Sequence, residues 1–393
     1  MRRGRVGLRL SADDPPTVTE VLPGSPAARA GLRPGDALHP SARSLLSRCR
    51  AGVSLTLSLP RGELAITPDP WPEEAYPDLD VTYGWAAHGS LALRTIVVAP
   101  RERPRATVLY AQGHDVASVE RATVDARDPL RGMVEHLARA GYSVARVERR
   151  GVGDSTGDCP EDTSWTDERE DLAAALASLD TARVVILGHS LGAMHTAALA
   201  PRDPRVCGVI LYGAGIDPWR AYLDANLRRQ LALAEVTDAR VAPQLARFWD
   251  RVLGAGEDPR EALAALEDPA RAWITVDPAG RVHGRAAHYW RGVDREDIPA
   301  GLRALRVPAL ALWGESDALT DRDEHARIAA RTGGSFATVP RADHGFADFA
   351  TARDSFRAGG RGPWQPRVGD ALTAWLGRIL DARDGLPGAD RHG

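Results

Sequence analysis

One short stretch, residues 184–195, constrains this chain of 393 residues more than any other. A run of β-branched and apolar residues leads into Gly188-His189-Ser190-Leu191-Gly192, and sequence rich in Ala and Leu follows. This order predicts a buried strand, a tight turn and a helix. Gly188 and Gly192 leave space where a Cβ would crowd the strand or the helix. We therefore expect Ser190 to stand exposed in strained backbone at the start of a helix.

Strand and helix patterns alternate from residue 78 to the C-terminus. Such alternation predicts the α/β class, with a mostly parallel, doubly wound sheet and helices on both of its faces. The predicted strands, besides the one before Ser190, are residues 79–85, 91–99, 106–111, 143–147, 206–212, 307–313 and 335–339. Two helices are predicted at residues 129–140 and 371–380.

Three motifs beyond the serine turn carry a resemblance to a known family. Arg150-Gly151-Val152-Gly153-Asp154-Ser155 precedes the serine strand, Trp313-Gly314-Glu315-Ser316-Asp317 follows a later strand, and Arg341-Ala342-Asp343-His344 follows the last one. With the Gly-x-Ser-x-Gly turn, residues 78–380 resemble the α/β-hydrolase superfamily, whose members carry a nucleophilic serine, an acid and a histidine in that chain order.

The resemblance implies a catalytic triad of Ser190, Asp317 and His344. A serine hydroxyl is a poor nucleophile until an imidazole takes its proton, and the imidazole needs a carboxylate on its other nitrogen. Glu315 and Asp343 are competing carboxylates; the first precedes the family's acid position, and the second is too close along the chain to orient His344 easily. The competing histidines are His189, His195, His283, His288 and His325.

The resemblance also implies an oxyanion hole. One donor would be the N–H of Leu191, and the other would come from the loop after residues 106–111. That loop reads His-Gly-x in many relatives and Gln112-Gly113-His114 here, which favours the N–H of His114. Asp115, Ser118, Glu120 and Arg121 are expected either to line the site or to be solvated, and Glu148, Arg149 and Asp154 are expected to brace neighbouring loops.

About ninety residues separate two predicted strands where the family usually has a single crossover. Helical spacing at residues 220–235, 241–253 and 259–266 predicts a helical cap at about residues 216–300. As a group, the aromatic residues of the cap indicate an apolar, partly covered pocket, although some must form the cap's own core. They are Trp219, Tyr222, Phe248, Trp249, Trp273, Tyr289 and Trp290. Arg228, Arg229 and Arg291 are candidate contacts for an anionic substrate.

The first 67 residues form a separate pattern. Short strands are expected at residues 6–10, 17–22 and 53–59, with a short helix from Pro26 and another helix at residues 41–50. The run at residues 23–36, PGSPAARAGLRPGD, closely resembles PDZ domains of bacterial protease-associated proteins. The resemblance implies a loop, Val6-Gly7-Leu8, that receives the C-terminal carboxylate of a peptide. The module is shortened after Leu38, and plain packing is an equally open interpretation; residues 68–77, with four prolines, are expected to be a linker.

Composition narrows the class of protein. The net charge of −3 and the absence of a basic tract give no sign of nucleic-acid binding. Cys49, Cys159 and Cys207 lack metal-ligand spacing, so no metal or cofactor is implied. No membrane span or signal segment is predicted, and a cytoplasmic, bacterial protein is expected.

The sequence therefore predicts a serine hydrolase that cleaves an ester, thioester or amide of a small or medium apolar acyl substrate. One alternative is a peptidase, or a peptide-tailoring hydrolase, whose PDZ-like domain captures a peptide or protein C-terminus. The other is a non-catalytic binding or scaffold protein on the same fold.

Overall fold

A computed structural model describes residues 2–11, 15–47, 49–215 and 217–384. The chain divides into two compact units, Met1–Glu74 and Ala75–Gly393. Within the described residues, no helix is both long enough and apolar enough to cross a membrane.

The first unit has three two-stranded antiparallel sheets, pairing β1 with β6, β2 with β3, and β4 with β5. Its strands are β1 Gly4–Arg5, β2 Leu8–Leu10, β3 Val18–Val21, β4 Leu55–Leu59, β5 Gly62–Ile66 and β6 Asp69–Pro70, and its helices are α1 Pro26–Arg29 and α2 Ala42–Ser47. Ser25 caps α1 by accepting a hydrogen bond from the N–H of Ala28, as the Ser-Pro order favours.

Two features of this unit differ from expectation. The strand expected at residues 6–10 is interrupted at Gly7, whose φ of 76° turns the chain and whose carbonyl accepts from the N–H of Leu22 at 2.9 Å. The segment expected to be a linker contains β6, which pairs with β1 of the same unit; Pro70 is tolerated in this short two-stranded sheet because a strand edge does not require its N–H.

The second unit is built on one eight-stranded sheet in the order β14-β13-β12-β11-β9-β10-β8-β7. The strands are β7 Leu79–His88, β8 Leu91–Pro100, β9 Thr107–Ala111, β10 Ser143–Val147, β11 Val184–His189, β12 Val206–Tyr212, β13 Ala309–Gly314 and β14 Ser335–Val339. Strand β8 is antiparallel to β7 and β10, and the other pairings are parallel. The mostly parallel sheet confirms the predicted class, and it brings the carboxyl ends of β9, β11, β12, β13 and β14 to one edge.

Helices cover both faces of this sheet, and apolar residues fill a core on each side. One core includes Met133, Leu137 and Trp375, and the other includes Leu172, Met194 and Ile328. The helices outside the insertion are α3 Pro129–Arg139, α4 Trp165–Ala177, α5 Leu191–Leu199, α11 Ile298–Ala304, α12 Arg322–Thr332, α13 Ala352–Ala358 and α14 Pro366–Asp384, with 3-10 turns at Pro160–Asp162 and Ala200–Arg202.

The insertion between β12 and α11 is helical. Its helices are α6 Trp219–Leu233, α7 Val241–Trp249, α8 Pro259–Ala264, α9 Asp268–Arg271 and α10 Ala287–Asp294, and a π-helical turn, Asp250–Gly254, continues from α7. The helix expected at residues 241–253 thus changes its hydrogen bonding at Asp250. Two of the cap's aromatic residues, Phe248 and Tyr289, are fully buried and form part of its core.

Candidate active site

Ser190 lies between β11 and α5 in a backbone conformation that few residues adopt. Its φ is 54°, and the next residue begins the helix. A Cβ on Gly188 would lie 2.5 Å from the Cα of Ala193, and a Cβ on Gly192 would clash with the carbonyl of Ala111. Both positions therefore require glycine, as the motif indicates, and together they hold the strained turn.

His344 and Asp317 meet beside the same edge of the sheet. The Nδ1 atom of His344 lies 2.9 Å from Oδ2 of Asp317. The carboxylate is only 2% exposed and also accepts from the N–H of Leu319 at 2.7 Å and from the hydroxyl of Thr320 at 2.6 Å. Because Nδ1 donates to Asp317, Nε2 is the ring nitrogen that can take a proton from a nucleophile.

The pair shifts the pKa values of both members. Burial alone would raise the pKa of Asp317, but the charge and hydrogen bond of His344 lower that pKa to about 2. Burial opposes the charged form of His344, yet Asp317 outweighs it and raises the pKa of the imidazole above its usual value. The pair is thus arranged so that the imidazole readily accepts a proton.

The competing carboxylates have other surroundings. Glu315 is exposed. Asp343 is fully buried, where its Oδ1 accepts from the N–H groups of Gly345 and Ala347, both at 2.8 Å, and its Oδ2 accepts from the hydroxyl of Ser355. Asp343 therefore shapes the loop that carries His344 rather than orienting the ring.

Among the competing histidines, His189 has a function in the site that the motif alone does not indicate. Its Nε2 lies 2.8 Å from the carbonyl of His344, which can only accept, so Nε2 carries the proton. Its Nδ1 then accepts from the hydroxyl of Tyr110 at 3.1 Å. Desolvation lowers the pKa of His189 to about 3, so the ring stays neutral and anchors the backbone of His344.

Three of the other competing histidines have contacts away from the pair of His344 and Asp317. His325 accepts from the N–H of Ala214, and His288 lies 2.9 Å from the carbonyl of Asp162. His195 stacks on Trp165 with 3.7 Å between the ring centroids.

The loop after β9 approaches Ser190, and two arginines bind its backbone carbonyls. A Cβ on Gly113 would lie 3.0 Å from the Cβ of Ser190. Arg149 donates to the carbonyls of Gly113 and Asp115, and Arg285 donates to the carbonyl of His114 at 2.9 Å. Because the two arginines bind these carbonyls, the loop is held beside the nucleophile.

Both arginines converge on one carboxylate, that of Glu168 in α4. Arg149 Nε lies 3.0 Å from Glu168 Oε1, and Arg285 Nη2 donates to the same oxygen. Arg285 and Glu168 are both buried, and Arg285 comes from the cap. Burial opposes the ionised carboxylate, but Arg149, the nearby His195 and Arg285 together outweigh it and lower the pKa of Glu168 to about 2.

Two cavities meet at Ser190. The larger, of about 640 Å³, is lined by Ser190 and His344 together with Gln112 and Arg121. The smaller, of about 260 Å³, is lined by Ser190, Leu191 and aromatic residues of the cap. The structure thus brings the predicted nucleophile and base to one cavity.

The profile of the family described as alpha/beta hydrolase fold matches residues 124–349. The chain belongs to the α/β-hydrolase family.

Named relatives of this α/β-hydrolase are hydrolases. RutD of Cronobacter turicensis, which carries the name of a carbamate hydrolase, is 30% identical over 202 residues, covering 50% of this chain and 74% of that protein. Esterase EstD of Thermotoga maritima is 26% identical over 196 residues, covering 48% of this chain but 41% of that protein. This α/β-hydrolase is therefore an enzyme of the hydrolase class.

Two of the solved structures to which the chain is similar come from bacteria of other genera. A proline iminopeptidase-related protein of Thermus thermophilus is 21% identical with a TM-score of 0.48, covering 77% of this chain and 99% of that one. Est1E of Butyrivibrio proteoclasticus is 13% identical with a TM-score of 0.47, covering 76% of this chain and 99% of that one.

Several residues of this α/β-hydrolase lie away from their expected places or were not expected at the site. Arg228 pairs with Asp224, and Arg229 pairs with Asp321. Arg291 donates to the carbonyl of Val252. None of these three arginines is among the described residues that line the two cavities. Each of the three is bound within the protein, and the contact of these arginines with an anionic substrate stays a prediction. Glu168 and Arg285 carry no motif, and they come together only through the packing of the cap on α4.

Proposed function

We propose that this hydrolase cleaves an ester, thioester or amide through an acyl-serine intermediate. Ser190 is the nucleophile, His344 is the general base and then the general acid, and Asp317 orients His344 and stabilises its charged form. The observation that carries the proposal is the 2.9 Å contact between His344 and Asp317 beside a cavity that Ser190 also lines.

The proposed chemistry has two halves. Ser190 Oγ attacks the carbonyl carbon while His344 Nε2 takes its proton, and the N–H groups of Leu191 and His114 stabilise the developing oxyanion. The imidazolium then gives the proton to the leaving group, and the acyl group stays on Ser190. Water, deprotonated by His344, releases the acid and restores the hydroxyl.

The arginines support this assignment of the oxyanion hole. Arg149 and Arg285 bind the carbonyls of Gly113 and His114, so the loop that carries the N–H of His114 is held beside Ser190. Leu191 follows the nucleophile at the start of α5, where helix N–H groups and the helix dipole favour negative charge.

Labelling with a fluorophosphonate probe tests the nucleophile. The wild-type protein should be labelled, the Ser190→Ala variant should not, and a matched control in the exposed part of β14, Ser335→Ala, should be labelled like wild type. Labelling retained in Ser190→Ala would overturn the assignment.

A second candidate function is capture of a peptide C-terminus by the first unit. It is favoured by the position of Gly7 in a turn before β2, and by the pairing of β2 with β3 as a sheet of two strands among the described residues. An extended peptide could add beside β2, with its carboxylate at Val6-Gly7-Leu8. The full chain should then bind a peptide with a free C-terminus more tightly than the same peptide as its amide. Equal affinities would remove this candidate.

A further inference from the structure

The two cavities beside Ser190 differ in chemistry. The larger is lined by the charged residues Asp115, Arg121 and Asp128. The smaller has no Asp, Glu or Arg among the described residues that line it, and its walls include Trp219, Tyr222, Trp249, Trp273 and Trp290. We call them the polar arm and the aromatic arm.

The position of His344 indicates which part of a substrate each arm holds. His344 lines the polar arm and is not among the described residues of the aromatic arm. Since a general acid must reach the atom that it protonates, the leaving group departs on the side of His344. Ser190 lines both arms, so the aromatic arm is the cavity that is left for the remaining substituent of the carbonyl carbon.

We propose that the aromatic arm binds the acyl group of the substrate, and that this acyl group is uncharged and carries one aromatic ring. The inference rests on the proposed acyl-serine function and adds the chemical class of the substrate to it.

The walls of the aromatic arm are flat and already packed against one another. Trp219 stacks on Trp290 with 5.6 Å between ring centroids and 10° between planes, and on Tyr222 at 5.1 Å. Trp249 meets Trp290 edge to face at 5.8 Å. Aromatic rings gain from offset or edge contacts with other rings, which a saturated ring of equal size cannot make. The arm therefore favours a planar ring over a saturated one.

Charge is excluded from this arm by its lining. Burial and the charges of Arg285 and Arg149 lower the pKa of His114 to about 4, and burial lowers the pKa of His283, so both imidazoles are neutral near pH 7. The described lining therefore offers a carboxylate no cationic side chain, and such a group would lose its hydration without gaining a counter-charge. The volume of about 260 Å³ is below the roughly 300–1,000 Å³ of pockets that hold a whole ligand, which fits one ring and a short connection.

A matched pair of esters tests the proposal. The substrates are p-nitrophenyl 3-phenylpropanoate and p-nitrophenyl 3-cyclohexylpropanoate, which share the leaving group and chain length. We expect kcat/KM to be about tenfold higher for the phenyl ester, in line with the value of a well-placed aromatic contact. A carboxylate at the para position of the phenyl ring should lower kcat/KM at least about a hundredfold.

The same rings placed on the leaving group test the assignment of the arms. Acetate esters of 3-phenylpropanol and 3-cyclohexylpropanol should be cleaved at nearly equal rates. In the acyl series, Trp219→Leu should bring the ratio of phenyl to cyclohexyl close to one. Trp85→Leu, a control at an exposed position in β7, should leave the ratio as in wild type.

The outcomes separate the two proposals. If the probe labels Ser190 but the acyl pair is cleaved equally, or not at all, the aromatic arm is not an aryl-acyl site and the inference is overturned. If the phenyl ring is instead preferred over the cyclohexyl ring only in the acetate esters, the aromatic arm binds the leaving group, and the inference is overturned as well. If Ser190 is not labelled, the acyl-serine function fails, and the inference fails with it.

Discussion

Two buried pairs of a carboxylate and a histidine lie in this enzyme, and they are built for different functions. In the first, Asp317 and His344 are joined at 2.9 Å, and His344 reaches the polar arm. In the second, Glu168 Oε2 lies 3.7 Å from His195 Nε2, beyond hydrogen-bonding distance, and His195 stacks on Trp165.

The difference lies in what neutralises each carboxylate. Asp317 is paired with its histidine and with neutral donors, so the pKa of His344 is raised. Arg149 and Arg285 pair with Glu168 and neutralise its charge. Burial lowers the pKa of His195, and the opposing effect of Glu168 is too small to offset it. The same residue types thus give a proton acceptor in one place and a neutral packing residue beside a structural ion cluster in the other. We therefore expect their substitutions to have very different effects.

Asp317→Asn should have the largest effect among these substitutions. The amide cannot fix the tautomer of His344 or stabilise its charged form, and loss of that carboxylate in a triad typically lowers kcat by about 10⁴-fold. Steady-state kinetics with a p-nitrophenyl ester measures it. The matched control is Asp348→Asn, at a carboxylate paired with Arg341, and it should keep most of the activity. A loss of less than tenfold in Asp317→Asn would contradict the assignment.

Arg285→Gln should have the second-largest effect. The variant keeps a donor near the carbonyl of His114 but removes the charge that binds Glu168, so the loop of the oxyanion hole loosens. Loss of a whole oxyanion donor costs about 10²–10³ in kcat, so a displaced donor should cost roughly ten- to a hundredfold.

The loss in Arg285→Gln should fall on kcat more than on KM. Arg281→Gln, at a neighbouring arginine paired with Asp162, is the control for general damage to the cap. A change in KM alone would show that Arg285 acts on substrate binding rather than on the oxyanion loop.

The pH dependence should follow His344. The base must be neutral, and its pKa is raised, so kcat/KM should fall as the pH falls through a midpoint above 6.5, the ordinary value for histidine. Below that midpoint, the rate should decrease about tenfold for each pH unit, as expected for a single group. A midpoint below 6.5 would contradict the pairing of His344 with Asp317.

His195→Phe should have the smallest effect. The phenyl ring can keep the stack on Trp165, and the described residues give neither nitrogen of His195 a hydrogen bond to lose. We expect activity within about threefold of wild type and a small change in Tm, as for volume-conserving substitutions in a core. The same substitution at His344 should abolish turnover. Equal effects at both positions would contradict the claim that His344 accepts a proton and His195 only packs.

The sequence predicts the first pair and not the second, for a physical reason. Ser190, Asp317 and His344 follow strands whose carboxyl ends must meet in a parallel sheet, so their order along the chain already implies their proximity. Glu168 lies in the first turn of α4 and Arg285 in an irregular part of the cap, 117 residues later, and nothing in their spacing indicates a contact. The hydrogen bond from His189 to the carbonyl of His344 is likewise not indicated by the sequence, because it depends on the path of the loop after β14.

The cap shows the same limit. Its aromatic content is visible in the sequence and predicts a covered apolar pocket. Which aromatic residues form the core, as Phe248 and Tyr289 do, and which line the aromatic arm depends on how five helices pack. The charge distribution that separates the two arms is likewise a property of the assembled site.

The acyl-serine intermediate itself provides the most direct test. The wild-type protein would be mixed with p-nitrophenyl 3-phenylpropanoate, quenched in acid within the first turnovers, digested with trypsin and measured by mass spectrometry. The peptide of residues 184–202, which contains Ser190, should carry the mass of one phenylpropanoyl group, and in His344→Ala it should not. Turnover without an acyl group on that peptide, or with the group on another residue, would contradict the account.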